Sequence, residues 1–302
     1  MQTNTKILAK KFGYLSPDTL QEALTLLDVH KKNHLKILAG GTDLLVKMKT
    51  TDLNVDYLMS IKNIKELDYL DTDKGLKIGA ITTLSHIIKE KKVKTDYTAL
   101  FEGIHSMAAP AIRNMGTIAG NLGNASPAAD TIPPLMVLGA KVKLQSKQGE
   151  RTVFVEDFTT GVGKTVMEPD ELISEIIIPE ISKTSSSAFL KKSRVKADLS
   201  KINCAVYLER RSNVCQDCRI AFGSVATTVI RARKTEELLK GKVINVDVIH
   251  QAAIEASQEI KPIDDIRSTA DYRLAMAGIM LRDAIELAWS RAVKGKRSKK
   301  SG

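Results

Sequence analysis

Cysteine is scarce in this chain, with three in 302 residues. Cys204 stands alone, while Cys215 and Cys218 form a single CxxC within SNVCQDCRIAFG. One CxxC supplies half the ligand set of a structural zinc or iron–sulfur site, and no histidine lies nearby to complete it. The two thiols therefore read as incidental residues on a strand-to-strand turn, and no metal site is expected. The low count fits a reducing compartment. Aromatic residues are also few, at 4%, and they are not interleaved with lysines, which argues against a stacking platform for single-stranded nucleic acid. No apolar run approaches the roughly 20 residues of a membrane-spanning helix, and the opening MQTNTKILAKK has no signal-peptide core. A cytoplasmic protein without a membrane span is expected.

Catalytic signatures are missing as well. His30, His34, His86, His105 and His250 are scattered, with no HExxH spacing and no GxSxG elbow anywhere. His105, alone in a helical stretch, reads as a structural residue, and no catalytic residue is assigned. The chain looks built to hold something and not to attack it.

Apolar residues make up 43% and charged residues 27%, an ordinary composition for a soluble globular protein, and 302 residues allow two or three domains. The net charge of +11 is concentrated: Lys294, Lys296, Arg297, Lys299 and Lys300 cluster at the end with no acid among them. Residues 293–302 read as a solvated, disordered basic tail, and nucleic acid is not an expected partner.

Along the chain, Ser16-Pro17-Asp18 opens an amphipathic helix to about His30, with Leu20, Ala23, Leu24 and Leu27 on one face. Leu35–Leu38 is a strand and Leu44–Lys49 a helix. Leu67–Leu70 and Leu76–Ala80 form a hairpin, as do Val142–Gln145 and Thr152–Val155. Helices are expected at Leu84–Glu90, Leu100–Ala109 and Asp130–Leu138, and a strand at Leu172–Ile178, stopped by Pro179. The stretch SKTSSS at Ser182–Ser187 reads as a linker or domain boundary. Beyond it, Ala188–Lys192, Ile202–Arg210 and Arg219–Val225 suit one antiparallel sheet, covered by helices at Lys234–Leu239, Asp247–Ser257 and Thr269–Ala292. The class is α+β, with strands in hairpins instead of βαβ units.

Two glycine-rich stretches interrupt this pattern. Ala39-Gly40-Gly41-Thr42-Asp43 lies between a strand and a helix start, and Ile112–Ala129 combines Gly116, Gly120 and Gly123 with Asn114, Asn121 and Asn124. The second reads as a loop, being too rich in glycine and asparagine for an element interior. Each stretch lets a backbone come close to a ligand and present N–H groups to an anion such as a diphosphate. Each is equally a tight turn by this criterion. Neither is a GxGxxG or a GxxxxGK(S/T) motif, so Rossmann and P-loop logic do not apply.

Longer motifs narrow the choice. AGGTDLLVKMK at Ala39–Lys49 and TIAGNLGNASPAADTIPPLMVLGA at Thr117–Ala140 resemble the two FAD-binding motifs of the medium, flavoprotein subunit of molybdenum hydroxylases. That family takes in carbon monoxide dehydrogenase and 4-hydroxybenzoyl-CoA reductase medium subunits and the central domain of xanthine dehydrogenase. The similarity continues through Phe189–Leu208, Arg219–Lys242 and Asp264–Ile285, and so covers nearly the whole chain. It implies a two-subdomain FAD-binding fold (1–56 and 57–181) followed by a C-terminal flavoprotein domain (187–292) with an antiparallel sheet and packed helices. It further implies that Ile37, Leu38, Ala39, Gly40, Gly41, Thr42, Asp43 and Leu44 wrap the FAD pyrophosphate, with Thr117, Ile118, Ala119, Gly120 and Asn121 holding it from the second motif. Asp130 matches a position contacting the nucleotide, and Ile173 and Lys191 match positions near the isoalloxazine or ribityl chain. Where the family motif reads T-x-G-G-N, Ala119 replaces the first glycine. A methyl group there is compatible with the site if φ stays negative.

The resemblance implies an electron-transfer subunit. A large partner bears the molybdenum cofactor, a small partner carries 2Fe–2S clusters, and FAD passes electrons to NAD or another acceptor, in a heterotrimer or its dimer. No cysteine precedes Cys204, so the extra iron–sulfur cluster of the 4-hydroxybenzoyl-CoA reductase branch is not expected. Two other functions are open to the residues: a self-contained FAD-dependent oxidoreductase with its own substrate pocket, and a basic nucleic-acid-binding module.

Overall fold

A computed structural model describes residues 10–294, with side chains as far as 292. Its first layer is a small parallel sheet. β1 (Gly13–Leu15), α1 (Leu20–Val29), β2 (Leu35–Leu38), α2 (Leu44–Thr50) and β3 (Tyr57–Ser60) follow in order, and β3 lies between β1 and β2, parallel to both. Helix α1 starts later than Ser16-Pro17-Asp18 suggests, because Thr19 is its cap and accepts from the Glu22 amide. Ala23, Leu24 and Leu27 bury its inner face. Tyr57–Ser60, on the far side of the subdomain boundary expected at residue 56, pairs with β1 and β2 in the first sheet.

A five-stranded antiparallel sheet follows, made of β4 (Leu70–Asp71), β5 (Leu76–Gly79), β6 (Lys141–Ser146), β7 (Gly149–Phe154) and, after the short pair β8 (Thr159–Gly161) and β9 (Lys164–Thr165), β10 (Leu172–Ile178). Its order is β4-β5-β10-β6-β7. Between β5 and β6 the chain forms α3 (Leu84–Ile87), α4 (Lys91–Thr95), α5 (Thr98–Ser106), α6 (Pro110–Arg113), α7 (Ile118–Asn124) and α8 (Ile132–Val137), and α9 (Val155–Phe158) follows β7. The stretch 112–129, expected as a loop, therefore contains helix. Thr117 caps α7, its Oγ1 accepting from the Gly120 amide at 3.0 Å, and Ile118, Ala119 and Leu122 are buried. Tertiary burial of one face overrides the poor helix propensity of glycine and asparagine.

The C-terminal sheet runs β11 (Ser185–Lys192), β12 (Ile202–Arg211), β13 (Val214–Gly223) and β14 (Ile230–Arg231) in sequential antiparallel order. SKTSSS is not a linker throughout, since Ser185–Ser187 already belong to β11. Ser187 is fully buried and its Oγ accepts from the Ala99 amide of α5 at 3.0 Å. Serine here is a hydrogen-bonding partner for a helix start, which composition cannot distinguish from a flexible spacer. Cys215 and Cys218 likewise lie within β13 and are buried, while Ser212 and Asn213 make the turn.

This sheet is buried on both faces, so β12 reads as a continuous apolar run. Ala205 and Tyr207 join Phe189 and Ala221 in the core shared with the N-terminal units. Cys204, Val206 and Leu208, with Ile220 and Phe222, face α10 (Arg233–Leu239), α11 (Val246–Glu259) and α12 (Ala270–Lys294). Each large apolar side chain so enclosed contributes about 1.5–3 kcal/mol. The basic tail expected at 293–302 lies outside the described residues, apart from the backbone of 293 and 294, which ends α12. Among the described residues no helix is long and apolar enough to cross a membrane.

The start of α12 is pinned by a buried cation. The Arg273 guanidinium donates to the carbonyls of Lys201 (2.9 Å) and Ile263 (2.7 Å) and to Asp265 Oδ1 (2.7 Å). Burial alone would raise the Asp265 acid, but hydrogen bonds from Arg273 and from the Arg267 amide outweigh it and hold the group well below the ordinary carboxylate range. A depressed folded value means that the stabilisation is complete above the unfolded value and fades as pH falls through the folded one. Asp265→Ala is expected to cost about 3 kcal/mol by stranding Arg273. Urea titrations should show the wild-type advantage over this variant shrinking only in strong acid.

Candidate functional site

Strand β2 delivers Ile37 and the buried Leu38 to the point where the chain turns into α2. Gly40 sits there against another backbone: an added Cβ would lie 2.3 Å from the Met115 carbonyl oxygen and 2.8 Å from Gly116 Cα. Neither can retreat as a side-chain tip would, so glycine is required. Gly41 has φ of +77°, a second reason for glycine at the turn. From the other side, Gly116 approaches Leu84 and Thr42 Oγ1, and a Cβ on Gly120 would come within 3.8 Å of Ala39 Cβ. The two glycine stretches, separated by more than seventy residues of sequence, thus form one trough. The Lys47 ammonium donates to Asn124 Oδ1 and ties α2 to the far end of α7.

The trough has donors to spare. Among the described residues no protein acceptor is bonded to the amides of Gly40, Gly41, Thr42 and Asp43, nor to that of Ala119, while Ile118 follows the antiparallel bridge between Thr83 and Thr117. Gly40 is buried, and buried amides in folded proteins find partners. Consecutive unpaired N–H groups beside glycines make a concavity suited to an anion. The donor set therefore fits a diphosphate, and the exposed glycines Gly120 and Gly123 leave room for what the diphosphate carries.

Ile173 lies on β10, 5% exposed, with its Cδ1 3.8 Å from where a Cβ on Gly123 would stand, so it backs α7. Asp130 and Lys191 occupy the seam between the N-terminal units and the C-terminal sheet. Their side chains are 4% and 5% exposed and pair at 2.6 Å. Lys191 Nζ also donates to the Ser106 carbonyl, and Asp130 Oδ1 accepts from Ser200 (2.7 Å) and Asn203 (2.9 Å). Both residues are thus committed to each other, while the residues of the two motifs line the trough directly. Ser200 and Asn203 escaped the reading of the sequence, although both lie in the matched stretch Phe189–Leu208; their spacing carries no signal.

His105 lies in α5. It stacks on Phe101 with ring centroids 5.5 Å apart, and its Nε2 is 3.3 Å from Lys196 Nζ. Burial first, then the charges of Lys196, Arg113 and Lys94, hold its imidazole below the ordinary value, so it is neutral at physiological pH.

Residues 10–181 match the family described as the FAD binding domain in molybdopterin dehydrogenase, and residues 187–288 match the CO dehydrogenase flavoprotein C-terminal domain. The chain belongs to the flavoprotein family of the molybdenum hydroxylases. FAD is the cofactor of this family's N-terminal domain, and its members are oxidoreductase subunits. The carbon monoxide dehydrogenase medium chain of Hydrogenophaga pseudoflava is 31% identical over 286 residues, 94% of this chain and 99% of its own length. The xanthine dehydrogenase FAD-binding subunit of Escherichia coli O157:H7 is 30% identical, covering 91% and 95%. Among solved structures, a carbon monoxide dehydrogenase from Hydrogenophaga pseudoflava superposes with a TM-score of 0.90 at 32% identity, over 93% of this chain and 98% of that one. Quinoline 2-oxidoreductase from Pseudomonas putida 86 gives 0.87 at 28%, covering 94% and 98%.

Within this flavoprotein the departure at Ala119 is harmless. The residue lies inside α7 and is not among those with positive φ, so its methyl group costs nothing in backbone strain and is buried. Gly40 is different. Gly40→Ala is expected to drive the first loop from the Met115–Gly116 backbone, destabilising the fold by about 1–3 kcal/mol and lowering FAD content. Gly120→Ala should leave stability nearly unchanged, because only the Thr117 hydroxyl, at 3.2 Å, comes close to its new Cβ. Thermal melts and flavin-to-protein absorbance ratios of the two variants check this.

Proposed function

We propose that this chain carries electrons within a three-component molybdenum hydroxylase. Electrons reach its FAD from 2Fe–2S clusters of a small partner subunit and leave to NAD or another acceptor, while a large partner with the molybdenum cofactor oxidises the substrate. The assembly is a heterotrimer or its dimer, in the cytoplasm. The observation that carries this reading is the trough of unpaired amides where Ala39–Asp43 meets Gly116–Gly120. It is supported by relatives named as medium chains and FAD-binding subunits, which the chain matches over nearly their full length.

In this reading the amides of Gly40, Gly41, Thr42 and Asp43 hold one side of the FAD diphosphate and that of Ala119 the other, with Ile118 anchoring the start of α7 beside them. Ile37, Leu38 and Leu44 shape the walls at the ends of the first loop. Thr117 keeps its hydroxyl on the Gly120 amide and so fixes the start of α7, and Asn121 is held by a hydrogen bond from Thr131 at 2.6 Å. Ile173 supports α7 from behind, and the Asp130–Lys191 pair sets the local field at the seam. Bound FAD supplies the redox chemistry, and the protein supplies binding, orientation and electrostatics. The FAD-binding part runs to about residue 181 and the C-terminal flavoprotein part from 187 to 292.

Gly120→Val tests the site. Its branched side chain would fill the trough without touching the core, so circular dichroism and melting temperature should match those of the flavin-stripped wild type while the flavin absorbance is lost. Normal FAD content in this variant would put the site elsewhere. Expression beside the neighbouring genes should yield a complex containing molybdenum, iron and flavin; a chain that never binds FAD, alone or with those partners, contradicts the reading.

A further inference from the structure

The Asp130 carboxylate is held by three donors, and all three come from the C-terminal sheet and its first loop. Lys191 lies on β11, Ser200 on the connection to β12, and Asn203 on β12 itself. Asn203 is fully buried and does more than bond Asp130: its Nδ2 also faces Ser200 Oγ at 3.1 Å and the Ala129 carbonyl at 3.3 Å. Its Oδ1 has no hydrogen-bond partner among the described residues, and it rests against Gly223, where any added Cβ would lie 2.2 Å away. The amide is therefore wedged into one orientation by a glycine, with its donor end on Asp130 and its acceptor end left without compensation. A buried acceptor without a partner is destabilising, and the fold tolerates it while the donor end is held in place.

Asp130 is linked in turn to the trough. The next residue, Thr131, donates to Asn121 Oδ1 in α7, and the Asp130 carbonyl packs on Gly103, where a Cβ would come within 2.5 Å. An unbroken line of short contacts thus runs from β12 through Asn203, Asp130, Thr131 and Asn121 to helix α7, which borders the trough.

We infer that Ser200 and Asn203 are positioning residues of the flavin site: through Asp130 they let the C-terminal sheet set both the retention of FAD and the electrostatic field it experiences. The inference rests on the trough being the FAD site. Two neutral hydrogen bonds to the carboxylate spread its charge. Without them the Asp130 charge is less compensated, which disfavours adding electrons to a nearby flavin.

The test uses the full-length chain with bound FAD and compares Ser200→Ala, Asn203→Ala, Leu239→Ala and Gly120→Val. Leu239 is fully buried in the helix-side core of the C-terminal domain and serves as a purely structural control. Ser200→Ala and Asn203→Ala are each expected to raise the FAD dissociation constant about 10-fold or more, as loss of a hydrogen bond to a charged group does. They should also shift the midpoint potential of the retained flavin to a more negative value. Leu239→Ala should lower the melting temperature and leave both flavin readings unchanged. Ser200→Ala removes one atom and little packing, and carries the test alone if Asn203→Ala does not fold. Unchanged affinity and potential in the alanine variants, with FAD lost from Gly120→Val, would overturn the positioning role and leave the site intact. FAD retained by Gly120→Val as well would overturn both.

Discussion

The close approach of two backbones at Gly40 is the constraint on which the rest of the site depends. With the Met115 carbonyl oxygen 2.3 Å from where a Cβ would be, the loop after β2 and the chain leading into α7 share a surface that only glycine permits. That contact brings the loop after β2 and the start of α7 together in one trough. Thr117 and Gly41 then fix the local geometry, one by capping α7 and the other by adopting a left-handed φ.

Around the trough the architecture is a matter of shared cores. The C-terminal sheet is buried on both faces, one face completing the hydrophobic core of the N-terminal units and the other packing under α10, α11 and α12. The seam is reinforced by polar contacts: Ser187 on the Ala99 amide, Glu102 accepting from the Phe189 amide at 2.8 Å, and the Lys191–Asp130 pair. A buried ion pair adds little net stability over an apolar substitute, but breaking it is costly, so it enforces one arrangement of the two parts. Such contacts keep Asp130 and Lys191 in one geometry across the seam.

The α+β class, the hairpin strands and the three C-terminal helices were legible from periodicity, since burial of one face imposes a pattern of two or of about 3.6 residues. The errors fell where short polar residues serve tertiary partners. Gly120, Asn121 and Gly123 occur in a helix held by the burial of Ile118, Ala119 and Leu122. Ser185–Ser187 looked like a spacer and form a strand whose last hydroxyl bonds α5. Cys215 and Cys218 were expected on a turn and instead line a core. In each case the local composition was a poor guide because the deciding contact comes from a distant segment.

By itself the sequence determined the family, the FAD cofactor and the two motifs, because these reside in runs of residue types that stay contiguous along the chain. It also implied that no acid–base chemistry accompanies them. Only the tertiary structure decided that the motifs touch through Gly40, that five amides in the trough lack protein partners among the described residues, and that Ser200 and Asn203 hold Asp130. Those are matters of distance between segments far apart in the chain, and a linear pattern of residue types carries no record of which backbone comes to rest against which.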